Sequence, residues 1–244
     1  MQHRESPTAV FEDDDLLVVD KPAHVVCHSA KKPEHPTLVA WLRERGIEVP
    51  RLINRLDRET SGLIIVAKNE HAAKILGKQL LRGEITKQYV AICCRELIQD
   101  RCLIDKPIGF DRKSAVYTKR VVDESTGKPS VTELVVERRL RGFTVVRLTP
   151  RTGRTHQLRV HMAWLGHPIV GDKIYGPDDH WYLRFIEQGV TGEMVKELLL
   201  SRHALHADFV ALRHPTSRQR CEFRAELPGD MVAFIAQHAV PGAH

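Results

Sequence analysis

Asp57 lies between two arginines, Arg55 and Arg58, in the polar segment Asn54-Arg55-Leu56-Asp57-Arg58-Glu59-Thr60-Ser61-Gly62. Flanking guanidinium groups favour the ionised carboxylate at neutral pH, and a carboxylate that acts as nucleophile or proton acceptor must be ionised. The segment runs directly into Leu63-Ile64-Ile65-Val66-Ala67, an apolar run that reads as a buried strand. A polar loop abutting a buried strand is a common place for chemistry, because the strand holds the loop rigidly. Read alone, however, the same acid is most simply a surface group paired with its neighbours.

Other residues pose the same choice. Thr152-Gly153-Arg154-Thr155 would cap a helix whose apolar positions Leu158, Met162 and Leu165 recur at helical spacing and which ends at Gly166. His156, Arg159 and Ala163 then share a neighbouring face; Arg159 reads either as part of a shared polar surface or as a solvated helix residue. Arg154 and Gln157 suit either contacts to a phosphate or capping of the helix. Tyr89, in the strand-like run Lys87 to Cys93, reads by itself as an ordinary strand aromatic. His203 and His206 are three apart, but their segment alternates like a strand, so no metal site is expected from them.

The 244 residues carry 37 Lys and Arg against 31 Asp and Glu, a net charge of +6 that favours a polyanionic partner. Five cysteines form an odd set with no C-x-x-C pair, which reads as free thiols in a reducing compartment. The first thirty residues reach Glu12-Asp13-Asp14-Asp15 before any apolar run, unlike a signal peptide, and no apolar stretch approaches the roughly 18 residues of a membrane span. A cytoplasmic, soluble, monomeric protein is the expectation.

The elements that would position these residues follow from pattern. Strands are expected at Leu16 to Val19, Leu63 to Ala67, Lys87 to Cys93, Val131 to Glu137, Phe143 to Thr149, Ala204 to Leu212 and Gln219 to Ala225. Helices are expected at Thr37 to Arg45, after the N-cap Asn69 as far as Gly83, from Thr152 to Gly166 and at Met231 to His238. Residues around Lys106-Pro107-Ile108-Gly109 look irregular, and 176–200 reads as an insertion with a short helix. With neither linker nor repeat, the pattern predicts one α+β domain over 1–244, its core at about 10–238, built on an antiparallel-rich mixed sheet flanked by helices. No small N-terminal RNA-binding module is expected ahead of the first strand.

The segment Asn54 to Gly62 resembles the H-R-L-D-x-x-T-S-G signature of RluA-type pseudouridine synthases. Asp20-Lys21-Pro22, Lys87-Gln88-Tyr89, Gly127-Lys128-Pro129, Thr152 to His161, His167 to Asp172 and Leu205-His206-Ala207 resemble further family motifs in the same order, so the likeness spans nearly the whole chain. Asn54 departs from it, standing where the family usually has His. The resemblance implies the pseudouridine synthase fold and a cofactor-free, metal-free isomerase acting on structured ribosomal or transfer RNA. It also implies Asp57 as the catalytic carboxylate, Tyr89 packed on the target uracil, Arg159 as the carboxylate's buried partner, and Arg55 entering the space left by the extruded nucleotide. Arg154 and Gln157 are the further RNA-contact candidates. Two rivals remain at this stage: a non-catalytic RNA-binding or RNA-folding protein, and a metal-dependent phosphoesterase.

Overall fold

The computed structural model describes residues 6–28 and 37–240, and the apolar runs of the sequence become its strands. In chain order these residues form β1 (Thr8–Glu12), β2 (Leu16–Lys21), α1 (Leu38–Glu44), β3 (Arg51–Leu52), β4 (Ser61–Ala67), α2 (Glu70–Leu81), β5 (Thr86–Cys94), β6 (Arg101–Asp105), β7 (Ile108–Phe110) and β8 (Arg120–Val122). β9 (Val131–Leu140), β10 (Phe143–Pro150), α3 (Gln157–Trp164), α4 (His180–Gln188), α5 (Gly192–Leu198), β11 (Leu205–Arg213), β12 (Arg220–Arg224) and α6 (Gly229–Gln237) complete the series. The mixture is α+β with mostly antiparallel pairing. The chain sorts into two compact units, one ending at Gln88 and joined by His206–Glu226, the other Tyr89–Leu205 with the residues from Leu227 on. It passes from one to the other inside β5, inside β11 and between β12 and α6.

In the first unit the strand order is β1-β2-β4-β11, with β3 on β4 and β12 on β11. Leu16 and Val18 of β2 and Leu63, Ile65 and Ala67 of β4 pack with Ala72 and Leu76 of α2 and with Val210, Leu212 and Phe223. Alternation put these residues on one face; the intervening Leu17, Val19, Ile64 and Val66 are equally buried, so both strands are covered on both sides. Asn69 caps α2 as its residue type suggests, its Oδ1 accepting from the Ala72 N–H at 2.8 Å. The β4–β11 pairing is parallel and brings Gly62 opposite Ala207. Gly62 has φ +111°, and a Cβ there would stand 2.3 Å from the Ala207 carbonyl oxygen, so only glycine fits.

In the second unit the order is β5-β10-β9-β6, all antiparallel, and β7 and β8 form a separate hairpin. Phe234 of α6 meets Phe143 edge-on at 5.0 Å, and burying such a ring contributes about 1.5–3 kcal/mol. Arg141 closes α6 by donating from its backbone to His238 and from Nη2 to the Gln237 carbonyl, both at 2.9 Å.

Several local expectations change here. The stretch read as irregular carries β6, β7 and β8; β7 and β8 are three residues each, too short to show alternation, and pair across a long turn. β1 likewise went unread. Residues 176–200, read as an insertion with one short helix, hold two helices. The Thr152 to Thr155 cap is replaced by His156, which is left-handed at φ 57° and makes no side-chain capping bond.

Candidate active site

Asp57 belongs to the first unit and sits half-buried in a loop anchored on every side. Before it, the buried amide of Asn54 donates to the Leu63 carbonyl (3.2 Å) and accepts from the Ile65 N–H (2.8 Å), fastening the loop to β4. The departure at Asn54 therefore serves the loop's backbone. Cys27 meets both backbone groups of Leu56, its Sγ at 3.2 Å from the carbonyl oxygen and 3.4 Å from the nitrogen. Burial pushes this thiol up, so it acts as a neutral contact. After Asp57, the Arg58 carbonyl accepts from the His24 N–H at 2.7 Å, and the Thr60 N–H returns to the Asp57 carbonyl at 3.1 Å. Lys21, fully buried, gathers the carbonyls of Pro22, Val25 and Arg58 at 2.8, 2.9 and 3.5 Å around its Nζ. Ser61 Oγ and His206 Nδ1 lie 2.9 Å apart where β4 meets β11. Arg55 and Arg58 are exposed residues of this loop.

The second unit carries Tyr89, Arg154, Gln157 and Arg159. Tyr89 is buried on β5, opposite Leu148 of β10. Arg159 is buried on α3 and grips Asp172 with two bonds, Nε to Oδ2 at 2.7 Å and Nη2 to Oδ1 at 2.8 Å. Asp172 also accepts from the Ile174 and Tyr175 N–H groups at 2.9 and 3.0 Å. Burial alone would raise this carboxyl, but the charge and hydrogen bonds of Arg159 outweigh it and hold Asp172 well below the usual carboxylate range. The Tyr175 ring lies 5.0 Å from the Arg159 guanidinium carbon. Gln157 is buried, its oxygen accepting from the Thr152 hydroxyl (2.7 Å) and Arg154 N–H (3.1 Å), its nitrogen donating to the Val131 carbonyl (2.9 Å) and Thr132 hydroxyl (3.0 Å). Both donors and both lone pairs are thereby used inside the protein. Arg154 is exposed, its Nε on the Pro129 carbonyl at 3.1 Å. Beneath them, His161 Nε2 faces the Lys106 carbonyl at 3.0 Å, which can only accept, so that nitrogen carries the proton and Nδ1 accepts from Thr132.

A family model described as RNA pseudouridylate synthase matches residues 15–164, a stretch that contains Asp57, Tyr89, Arg154, Gln157 and Arg159. The chain belongs to this family. An RNA pseudouridine synthase of Bacillus subtilis, YlyB, is 36% identical over 233 residues, covering 92% of this chain and 70% of that one. Ribosomal large subunit pseudouridine synthase D of Vibrio parahaemolyticus is 39% identical over 231 residues, 92% of this chain and 68% of the relative. Among solved structures, human RNA Pseudouridylate Synthase Domain Containing 1 aligns with a TM-score of 0.71 at 32% identity, over 91% of this chain and 84% of its own. The human Domain Containing 4 protein, at 22% identity and TM-score 0.72 over 94% and 92%, shares the fold. The protein is thus an isomerase acting on RNA.

Reasoning from sequence had passed over several residues of this synthase. Asp172 and Tyr175 fell within or beside recognised motifs but had no role, and Lys21 was read only as part of a motif. A signal existed in the glycines around Asp172 and Tyr175. A Cβ at Gly171 (φ +80°) would stand 1.9 Å from the Arg202 carbonyl oxygen, and one at Gly176 would stand 2.3 Å from that of Asp172. Two glycines with no room for a side chain mark a tight turn, and this turn is the one that delivers Asp172 to Arg159.

Proposed function

We propose that this synthase converts uridine to pseudouridine in ribosomal RNA, with Asp57 as the reacting carboxylate. The preference for ribosomal over transfer RNA rests on the relatives named ribosomal large subunit pseudouridine synthase D, such as the one 39% identical across 92% of this chain. The observation that carries the catalytic assignment is the anchoring of the Asp57 loop. Bonds at Asn54, Leu56, Asp57 and Arg58 hold the backbone on both sides of one half-buried acid, the rigidity a positioned reactant needs.

The reaction breaks the bond from ribose C1′ to uracil N1, turns the base and joins C1′ to C5; the proton lost from C5 is matched by one gained at N1. Nothing is oxidised and no water is consumed. Asp57 acts either on C1′ or by taking a proton from C2′; both routes need it ionised. The target base must first leave its stack, at a cost of a few kcal/mol, and stacking on a ring such as Tyr89 returns about 1–3 kcal/mol. The Tyr89 hydroxyl is then available to the C5 proton. Arg159 is assigned the positive charge that balances the reacting carboxylate, Arg55 the space left by the extruded nucleotide, and Arg154 an RNA phosphate, while Gln157 holds the backbone of Arg154 from within. Water must be kept from the activated sugar, since hydrolysis would turn isomerisation into base loss. A cytoplasmic setting suits an RNA substrate and five free cysteines. Among the described residues no helix is long and apolar enough to cross a membrane.

The decisive experiment is Asp57→Asn, which keeps shape and removes charge. Isomerisation should be abolished while RNA affinity stays within a few-fold of wild type. More than about 1% of the wild-type single-turnover rate, a barrier increase below about 2.7 kcal/mol, would remove Asp57 from the essential role.

A further inference from the structure

The β7–β8 hairpin carries a platform at the pair of residues next to its turn. Phe110 is 56% exposed and pairs in register with Arg120, whose guanidinium carbon lies 3.6 Å from the ring centroid. Tyr117, 86% exposed, and the exposed Arg112 and Lys113 belong to the same turn. Exposed aromatic rings interleaved with cations suit the unstacked bases and phosphates of RNA, the substrate class of this enzyme.

The buried part of that hairpin rests on the helix that carries Arg159. Ile108, Val116 and Val122 pack with Val160 of α3 and with Ile174 and Tyr175. The Tyr175 hydroxyl accepts from the Arg120 N–H at 2.9 Å and lies 2.9 Å from Nδ1 of His156, the left-handed residue that starts α3. The same tyrosine presents its ring to Arg159, and its backbone N–H bonds Asp172, the anion of Arg159. One residue therefore touches the backbone of Arg120 in the platform, the N-cap of α3 and the Arg159 guanidinium. Residues 176–200 steady the far end: Asp179 accepts from Ser114 at 2.6 Å and Lys119 at 2.9 Å.

We propose that Tyr175 is a positioning residue that couples RNA seated on the β7–β8 hairpin to the orientation of Arg159. The proposal rests on the reading that Arg159 serves the reaction. Close-packed side chains transmit displacement instead of absorbing it, and the hydroxyl makes the hairpin and the start of α3 move together. RNA on Phe110 and Arg120 thus favours one placement of the guanidinium, and an unloaded hairpin leaves it less constrained.

The test is a double-mutant cycle in the full chain with Tyr175→Phe and Phe110→Ala. It reads RNA affinity and the single-turnover rate at saturating RNA, well below the melting temperature of every variant. Tyr175→Phe keeps the ring and deletes the hydroxyl, so the rate should fall about tenfold with affinity nearly unchanged, as loss of its two hydrogen bonds allows. Phe110→Ala should weaken binding by roughly fivefold to a hundredfold, the loss of one stacking partner, and also slow the bound complex. In the Tyr175→Phe background Phe110→Ala should still weaken binding but slow the bound complex no further. A purely structural tyrosine would lower the melting temperature and leave the rates alone. The proposal is overturned if Tyr175→Phe reacts at the wild-type rate, or if Phe110→Ala costs the same factor in rate in both backgrounds. Arg159→Lys, measured alongside, separates the failures: a wild-type rate there would overturn the role of Arg159 itself, whereas a slow Arg159→Lys with an additive cycle sinks only the coupling. If Tyr175→Phe does not fold, Asp179→Ala, which releases the hairpin's tip from α4, takes its place in the same cycle.

Discussion

Asp172→Asn isolates the charge of a buried ion pair. The substitution keeps the side chain's size, and Oδ1 still accepts from Ile174 and Tyr175, but Arg159 loses its counter-ion at a site where the two side chains are 6% and 0% exposed. Breaking such a pair from one side costs about 3–5 kcal/mol, because the remaining charge stays desolvated. The asparagine oxygen can still accept one guanidinium bond, which places the expectation near the lower end. Each kcal/mol shifts the melting temperature of a domain this size by about 2–4 °C, so a drop of roughly 6–12 °C should appear at pH 7. Acid supplies an independent check. The folded state holds Asp172 below its ordinary value of 3.8, so its contribution is present above that pH and is lost as pH falls through the folded value. The wild-type advantage over Asp172→Asn should therefore be constant from about pH 8 to 5 and shrink below about pH 4. Thermal melts followed by circular dichroism across this range measure both. A difference under about 2 °C at pH 7, or one that does not shrink in acid, would refute the idea that Arg159 depends on this charge.

Two further substitutions probe the Asp57 loop. Asn54→Leu should leave the Leu63 carbonyl and Ile65 N–H without their side-chain partner, at about 1–3 kcal/mol each, and lower the urea midpoint accordingly; an unchanged midpoint would mean the amide does not hold the loop. Gly62→Ala adds a Cβ at positive φ, costing about 1–2 kcal/mol before any clash, and that Cβ meets the Ala207 carbonyl. Strand β4 and the end of the Asp57 loop must then shift, so isomerase activity per folded molecule should fall at least about tenfold; full activity would show that the β4–β11 approach can relax.

Local pattern made much of this protein readable. β2 and β4 announced themselves as apolar runs, α2 by its Asn69 cap and the glycine beyond its end, and β11 and β12 by alternation, because each signal lies within the element it specifies. The Asp57 segment was legible for the same reason: its motif is contiguous and a single loop displays it. The reading failed where structure depends on distant partners. β7 and β8 are too short to carry a period and exist through their pairing and the cluster beneath them. The start of α3 followed His156, left-handed and tied to Tyr175, rather than the threonines that local preference favoured.

The sequence by itself determined the chemistry on offer: a carboxylate between arginines, no metal spacing, and a basic balance of +6. Its motifs also determined the family, since residue identity in a contiguous segment needs no folding to be recognised. Tertiary structure alone decided which groups serve which. It gave Arg159 its anion thirteen residues along the chain, spent the whole amide of Gln157 inside the protein and turned Asn54 onto the backbone of β4. The physical reason is that an ion pair or a buried hydrogen bond depends on distance and desolvation in space. Those quantities arise only when separate elements pack, and residue type and spacing carry no record of them.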